Sequence, residues 1–150
     1  MLNFQVVFGR LKKLKEFADY KEEDFRETDY CQTFTPSADG TPTGFVPREF
    51  ANGGVILGIS ATAMIPGGAT PNNRSLFAID FQFTGGEGFV IDGPVLADAL
   101  MGGGPDTQFP AKEIIVNPLQ VIKCRVANAA GIDGMRVDVV YHLATYRFGG

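Results

Sequence analysis

The sharpest hydrophobic pattern in the chain runs from Leu76 to Thr84, where Phe77, Ile79, Phe81 and Phe83 alternate with Ala78, Asp80, Gln82 and Thr84. Period-two alternation sends one set of side chains to a buried face and the other to solvent, which predicts a half-buried strand. The same period returns between Met135 and Phe148. There Met135, Val137, Val139, Tyr141 and Leu143 share one side, and Arg136, Asp138 and His142 share the other. That stretch is about twice an ordinary strand, so a bend or bulge is expected near Val140 to Ala144. Val55 to Ile65 reads as a strand with Val55, Leu57, Ile59, Ala61 and Ala63 together, its small residues allowing another sheet or chain to come close.

Further strands are expected at Phe89 to Ile91, after a turn at Gly85-Gly86-Glu87-Gly88, and at Ile114 to Val116 and Leu119 to Asn128. Asn117-Pro118 interrupts the last pair and favours an edge, a bend or a crossing between sheets. Pro94 and Gly102 bracket Val95 to Met101, predicting one or two helical turns. Proline and glycine mark long loops at Thr35 to Asn52 and Gly102 to Pro110, with shorter breaks at Pro66 to Asn73 and Ala129 to Gly134.

The first third differs in character. Leu11, Leu14, Phe17 and Tyr20 recur at three-residue spacing among charges, which suits a short amphipathic helix, preceded by a short strand at Asn3 to Phe8. The stripe is too narrow for the centre of a core. Residues 1–34 are therefore expected as an N-terminal arm, docked on a partner or packed on its own domain, and residues 35–150 as the body. Strands divided by turns, with no βαβ alternation, predict a mainly β protein: an antiparallel β-sandwich, preferably a jelly roll of about eight strands.

Composition supports that picture. The 150 residues include 19 glycines, 9 prolines and 13 phenylalanines but no tryptophan, a mixture suited to many turns between bulky strands. The formal charge of −4 offers no general attraction to nucleic acid or anionic lipid. No apolar run reaches the ~20 residues of a membrane span, and acidic residues follow Arg10, Lys12, Lys13 and Lys15 where a signal peptide would be apolar. Cys31 and Cys124 are too far apart for a CxxC pair and are expected as buried thiols.

Enzyme chemistry finds little purchase. A metal site of the cupin kind needs clustered ligands, and His142 is the single histidine. It could carry a proton or sense pH, but a lone strand histidine reads first as structural. Ser37, Ser60 and Ser75 lie outside any Gly-x-Ser-x-Gly elbow. Asp80, Glu87, Asp92 and Asp98 could supply paired carboxylates for a glycosidase, and turns or exposed strand faces account for them equally. The glycine clusters lack a following Gly-Lys-Ser/Thr. The basic residues at Arg10 to Lys15 lack interleaved aromatics, so a solvated helix face is preferred to a nucleic-acid site. Asp39, Asp106 and Asp133 do not have EF-hand spacing. No catalytic, cofactor-binding or metal-binding residue is assigned, and a protein acting by contact, without enzyme activity, is expected.

The stretch Ile114-Ile115-Val116-Asn117-Pro118-Leu119-Gln120-Val121, the polar loop Asn128 to Gly134, and the ending Val137-Asp138-Val139-Val140-Tyr141-His142-Leu143 resemble the small β-sandwich accessory proteins of tailed bacteriophage virions. The resemblance covers Val55 to Phe148. It implies a capsid decoration or cement protein with a jelly-roll domain and an extended arm. Such a protein bridges major capsid subunits as a dimer or trimer, sits on the capsid exterior, and is made in the bacterial cytoplasm. The arm and the loops Thr35 to Asn52 and Gly102 to Pro110 would then make the contacts. A head-tail connector, tail or fibre-attachment component remains open, as does a carbohydrate-binding sandwich whose stacking platform would fall to Tyr20, Tyr30, Tyr141 and Tyr146 or phenylalanine.

Overall fold

In the computed structural model the residues described are 3–13, 19–49, 53–67, 74–84, 94–102, 114–116 and 121–146. Expectations for Leu14, Phe17, Pro71 to Asn73, the turn at Gly85 to Gly88, Phe89 to Ile91, the greater part of Gly102 to Pro110 and Asn117-Pro118 lie outside them.

Eight strands are described: β1 (Phe25–Phe34), β2 (Val46–Glu49), β3 (Gly54–Met64), β4 (Phe77–Thr84), β5 (Val95–Leu96), β6 (Ile114–Val116), β7 (Val121–Asn128) and β8 (Arg136–Tyr146). They form two antiparallel sheets, ordered β1-β8-β3-β6 and β2-β7-β4-β5. The first strand pairs with the eighth, the second with the seventh, the third with the sixth and the fourth with the fifth. That is the strand order of a long antiparallel ribbon rolled into two layers, the jelly roll.

The alternating residues fill the space between the layers. Phe77, Ile79 and Phe81 of β4, Ile122, Cys124 and Val126 of β7, and Val137, Val139, Tyr141 and Leu143 of β8 are buried in one cluster with Ile56, Ile59, Ala61 and Ala63 of β3. Burying a side chain of this kind contributes roughly 1.5–3 kcal/mol, so the period-two pattern is also the main source of cohesion.

Four expectations are corrected. Asn3 to Phe8 is not a strand: Phe4–Leu11 is a helix, α1. The Asn3 side chain begins it, its Oδ1 accepting from the Gln5 and Val6 amides at 2.8 and 3.4 Å. Residues 25–34, expected within the arm, form β1, which pairs with β8 along its whole length. β2 lies inside the stretch expected as one long loop. Finally, the irregularity expected in β8 sits opposite it in β3, where the register shifts between Ile56 and Gly58 at the level of Leu143 and His142. Leu57 is the extra residue, and the alternation reverses there. Ile59, Ala61 and Ala63 keep to the core, whereas Val55 and Leu57 turn to the outer surface of the first sheet.

That outer surface has its own apolar cluster. Phe4, Val7, Phe8 and Leu11 of α1 pack against Phe25, Val55, Leu57 and Ala144, with Tyr20 and Ile115 at the margin. Phe25 stands at the centre of the rings, 5.3 Å from Phe4, 5.5 Å from Phe8 and 5.8 Å from Tyr20. Gly54 is required at the start of β3, because a Cβ there would lie 2.8 Å from the Ala144 carbonyl oxygen. The expected helical turns after Pro94 are β5 followed by a short helix, α2 (Ala97–Met101).

Candidate interaction surface

Residue by residue, the structure gives the sequence's candidate groups local partners. Asp80, on the outward side of β4, is 2% exposed. Arg125 lies directly across from it on β7 and donates from both Nε and Nη2 to Asp80 Oδ2, each at 3.0 Å. The Arg125 guanidinium also stacks 4.4 Å from the centre of the Phe45 ring. Through Arg125 this carboxylate joins β4, β7 and the chain leading into β2, while its other oxygen, Oδ1, is buried without a hydrogen-bond partner among the described residues. Glu87 and Asp92, two of the other carboxylates considered for a glycosidase pair, lie outside the described residues. Asp39 caps its own turn, its Oδ1 accepting from the Thr41 amide at 2.8 Å, and that bond lowers its pKa.

The two cysteines separate. Both are free, but Cys31 is exposed on β1, which corrects the expectation that it is buried. Cys124 is in the core, where burial pushes its thiol well above the ordinary value. Beside it the Tyr141 hydroxyl donates to Gln32 Oε1 at 3.0 Å, and burial likewise raises the phenol. Tyr141 is therefore no sugar platform. Tyr20 packs on Phe25, and Tyr30 packs partly buried near Tyr141. Nothing is described of the Tyr146 side chain.

Two structural polar residues went unnoticed in the sequence. Arg74 is 1% exposed and donates from Nε to the Ala61 carbonyl at 2.9 Å and from Nη1 to the Gly102 carbonyl at 3.1 Å. Its own carbonyl accepts from the Asp98 amide at 3.1 Å, so one arginine joins β3 to both ends of α2. It follows Pro-Asn-Asn, and loop chemistry masked it. Asn128 organises the turn before β8: its Oδ1 accepts from the Ala130 and Gly131 amides and its Nδ2 donates to the Ile132 carbonyl at 2.6 Å. An inward position at the end of an alternating strand, just before a glycine loop, was the available signal.

The open polar groups gather on the outer surface of the first sheet. His142 Nδ1 and Asp29 Oδ1 are 2.6 Å apart across β8 and β1. Glu27, Thr28, Asp29, Leu57, His142 and Leu143 line a hollow of about 270 Å³ there. A second hollow of about 350 Å³, lined by Phe4, Glu22, Glu23, Phe25 and Glu27, adjoins it at Glu27. The surface is thus acidic along β1, with an apolar floor supplied by the bulge residue Leu57 and by the edge of the α1 cluster. Of the basic group near α1, Lys12 folds back on the chain, its Nζ donating to the Tyr20 carbonyl at 2.6 Å.

Among the described residues no three His, Cys, Asp or Glu side chains are grouped to hold a metal ion, and no helix is long and apolar enough to cross a membrane. Compared with known proteins, the chain matches no family model, no curated protein and no solved structure.

Proposed function

We propose that the protein is a non-enzymatic structural component of a bacteriophage virion, a decoration or cement protein that binds the capsid exterior and bridges major capsid subunits. The observation that carries this is the jelly-roll order, β1-β8-β3-β6 against β2-β7-β4-β5, an architecture that viral capsid domains share with lectins and cupins. Two features support a role by contact. The buried charges Asp80 and Arg74 are committed to joining strands and helix. Among the described residues, the exposed acidic groups of the first sheet lie along β1 and its neighbouring hollows, a surface suited to an extended contact. A protein that binds only the assembled shell stabilises it by mass action and requires no active site. The link from a jelly roll to a virion is an analogy between folds, and function resides in the contacts themselves.

The test is co-sedimentation of the purified chain with assembled, undecorated capsids, beside a variant lacking residues 1–11. A cut at residue 34 would remove β1 and damage the first sheet, whereas a cut after Leu11 removes α1 alone. Binding in fixed stoichiometry supports the proposal, and its weakening in the shortened variant assigns part of the contact to α1. Absence of binding by both forms overturns it.

A further inference from the structure

Among the described strands, β1 has a neighbour on one side only. It is the terminal strand of its sheet, ten residues long, and β8 occupies one of its edges. No described strand lies beside the other. A long open edge is a row of backbone donors and acceptors that favours an added strand, and proteins that leave one open normally guard it with charge. At the far end of β1 the Gln32 side chain reaches the Pro47 carbonyl of the other sheet at 3.5 Å. The exposed acidic residues lie in the first half, between Arg26 and Asp29.

The side chains there select what can add. Glu27 and Asp29 project to the outer surface, both exposed, and Glu22, Glu23 and Asp24 precede β1 in a short 3-10 turn. A second copy is a poor occupant. Antiparallel pairing of two β1 strands, with outer surfaces aligned, places odd positions against odd positions. In the registers centred on the acidic half, Glu27 then meets Glu27 or Asp29 of the other copy, and like charges directly opposite one another destabilise a sheet.

We infer that the open edge of β1 accepts an extended segment of a partner protein that carries lysine or arginine at alternate positions. The added backbone extends the first sheet. One basic side chain sets its charged end between Glu27 and Asp29, at the β1 margin of the 270 Å³ hollow. Other basic residues at the same spacing face Glu22 across the neighbouring hollow. Asp29 keeps its bond to His142 and receives the cation on the same carboxylate group. This deepens the contact-protein proposal by naming the partner's chemistry, and the two can fail separately: shells can bind through α1 and the loops while β1 stays bare.

The probe is a labelled ten-residue peptide of alternating lysine and valine, matched to the length of β1, beside the same peptide with glutamate for lysine. Binding is followed by fluorescence polarisation and hydrogen exchange. The lysine peptide is expected to bind the full chain and slow exchange of the amides between Arg26 and Asp29. The double variant Glu27→Lys/Asp29→Asn is expected to weaken that binding on the order of tenfold, the effect of a few cross-strand charge pairs. Both residues are exposed, so the variant should keep its circular dichroism spectrum. Equal binding of the glutamate peptide, binding without protection of β1, no binding of the lysine peptide, or a peptide-free dimer already protected at β1 would each overturn the inference.

Discussion

Cys31 is exposed on β1 and Cys124 is buried on β7, so the two are expected to react differently. A thiol reagent is expected to titrate one cysteine in the native chain and two after denaturation, and titration of two at equal rates would refute the core placement. Cys124 and Tyr141 also set a pH limit. Burial raises both above their ordinary values of 9.0 and 10.0, so the native state holds these protons more tightly than the unfolded chain. Their contribution to stability is complete below about pH 9 and declines as the pH rises through and beyond those values. Each group adds a slope of up to about 1.4 kcal/mol per pH unit. Urea unfolding between pH 7 and 11 should show this decline, and Tyr141→Phe should make it shallower. The Asp80–Arg125 pair is asymmetric, with Asp80 at 3% side-chain exposure and Arg125 at 31%. Arg125→Met strands a buried carboxylate and is expected to cost about 3 kcal/mol, whereas Asp80→Asn leaves an arginine that can turn to water and should cost about 1–2 kcal/mol. Chemical denaturation of the two variants checks the order.

At the scale of elements, the two ends of the chain were unequally legible. The strands β4, β7 and β8 could be read directly, since one face of each meets the core and the other meets solvent or a thin polar layer. The helix at the start was legible but read as a strand. Asn3 as a cap, with Phe4, Val7, Phe8 and Leu11 at helical spacing, was present in the sequence, but helical spacing was sought only from Leu11 onward, where Leu14 and Phe17 lie outside the described residues. The charges after Leu11 concealed β1, whose edge position and partly covered surface leave only Phe25, Gln32 and Phe34 buried. β3 was misread for another reason: a bulge reverses alternation, and nothing local announces where it falls. Because the α1 cluster is separate from the main core, its loss should be local. Phe8→Ala is expected to lose about 3 kcal/mol of α1 docking. Hydrogen exchange should accelerate in α1 and remain slow in β4, β7 and β8, and uniform acceleration would contradict two separate clusters.

For the whole molecule, turn spacing and alternation were enough for a β-sandwich and for the preference for a jelly roll. Which strands lie side by side was not legible. β1 meets β8 with Asp29 opposite His142, and Asp80 meets Arg125, across sequence separations that no local pattern encodes. The acidic hollow beside β1 exists only through that pairing and the Leu57 bulge, so the candidate surface was invisible in the sequence even though each of its residues was in view. The proposal of a capsid-bound protein is one about assembled shells, and shell stability is its most direct test. Undecorated capsids are heated with and without a saturating amount of the purified chain while disassembly is followed by light scattering. The account predicts a higher disassembly temperature that rises with added protein until the binding sites are filled. An unchanged disassembly temperature at saturating protein would contradict it.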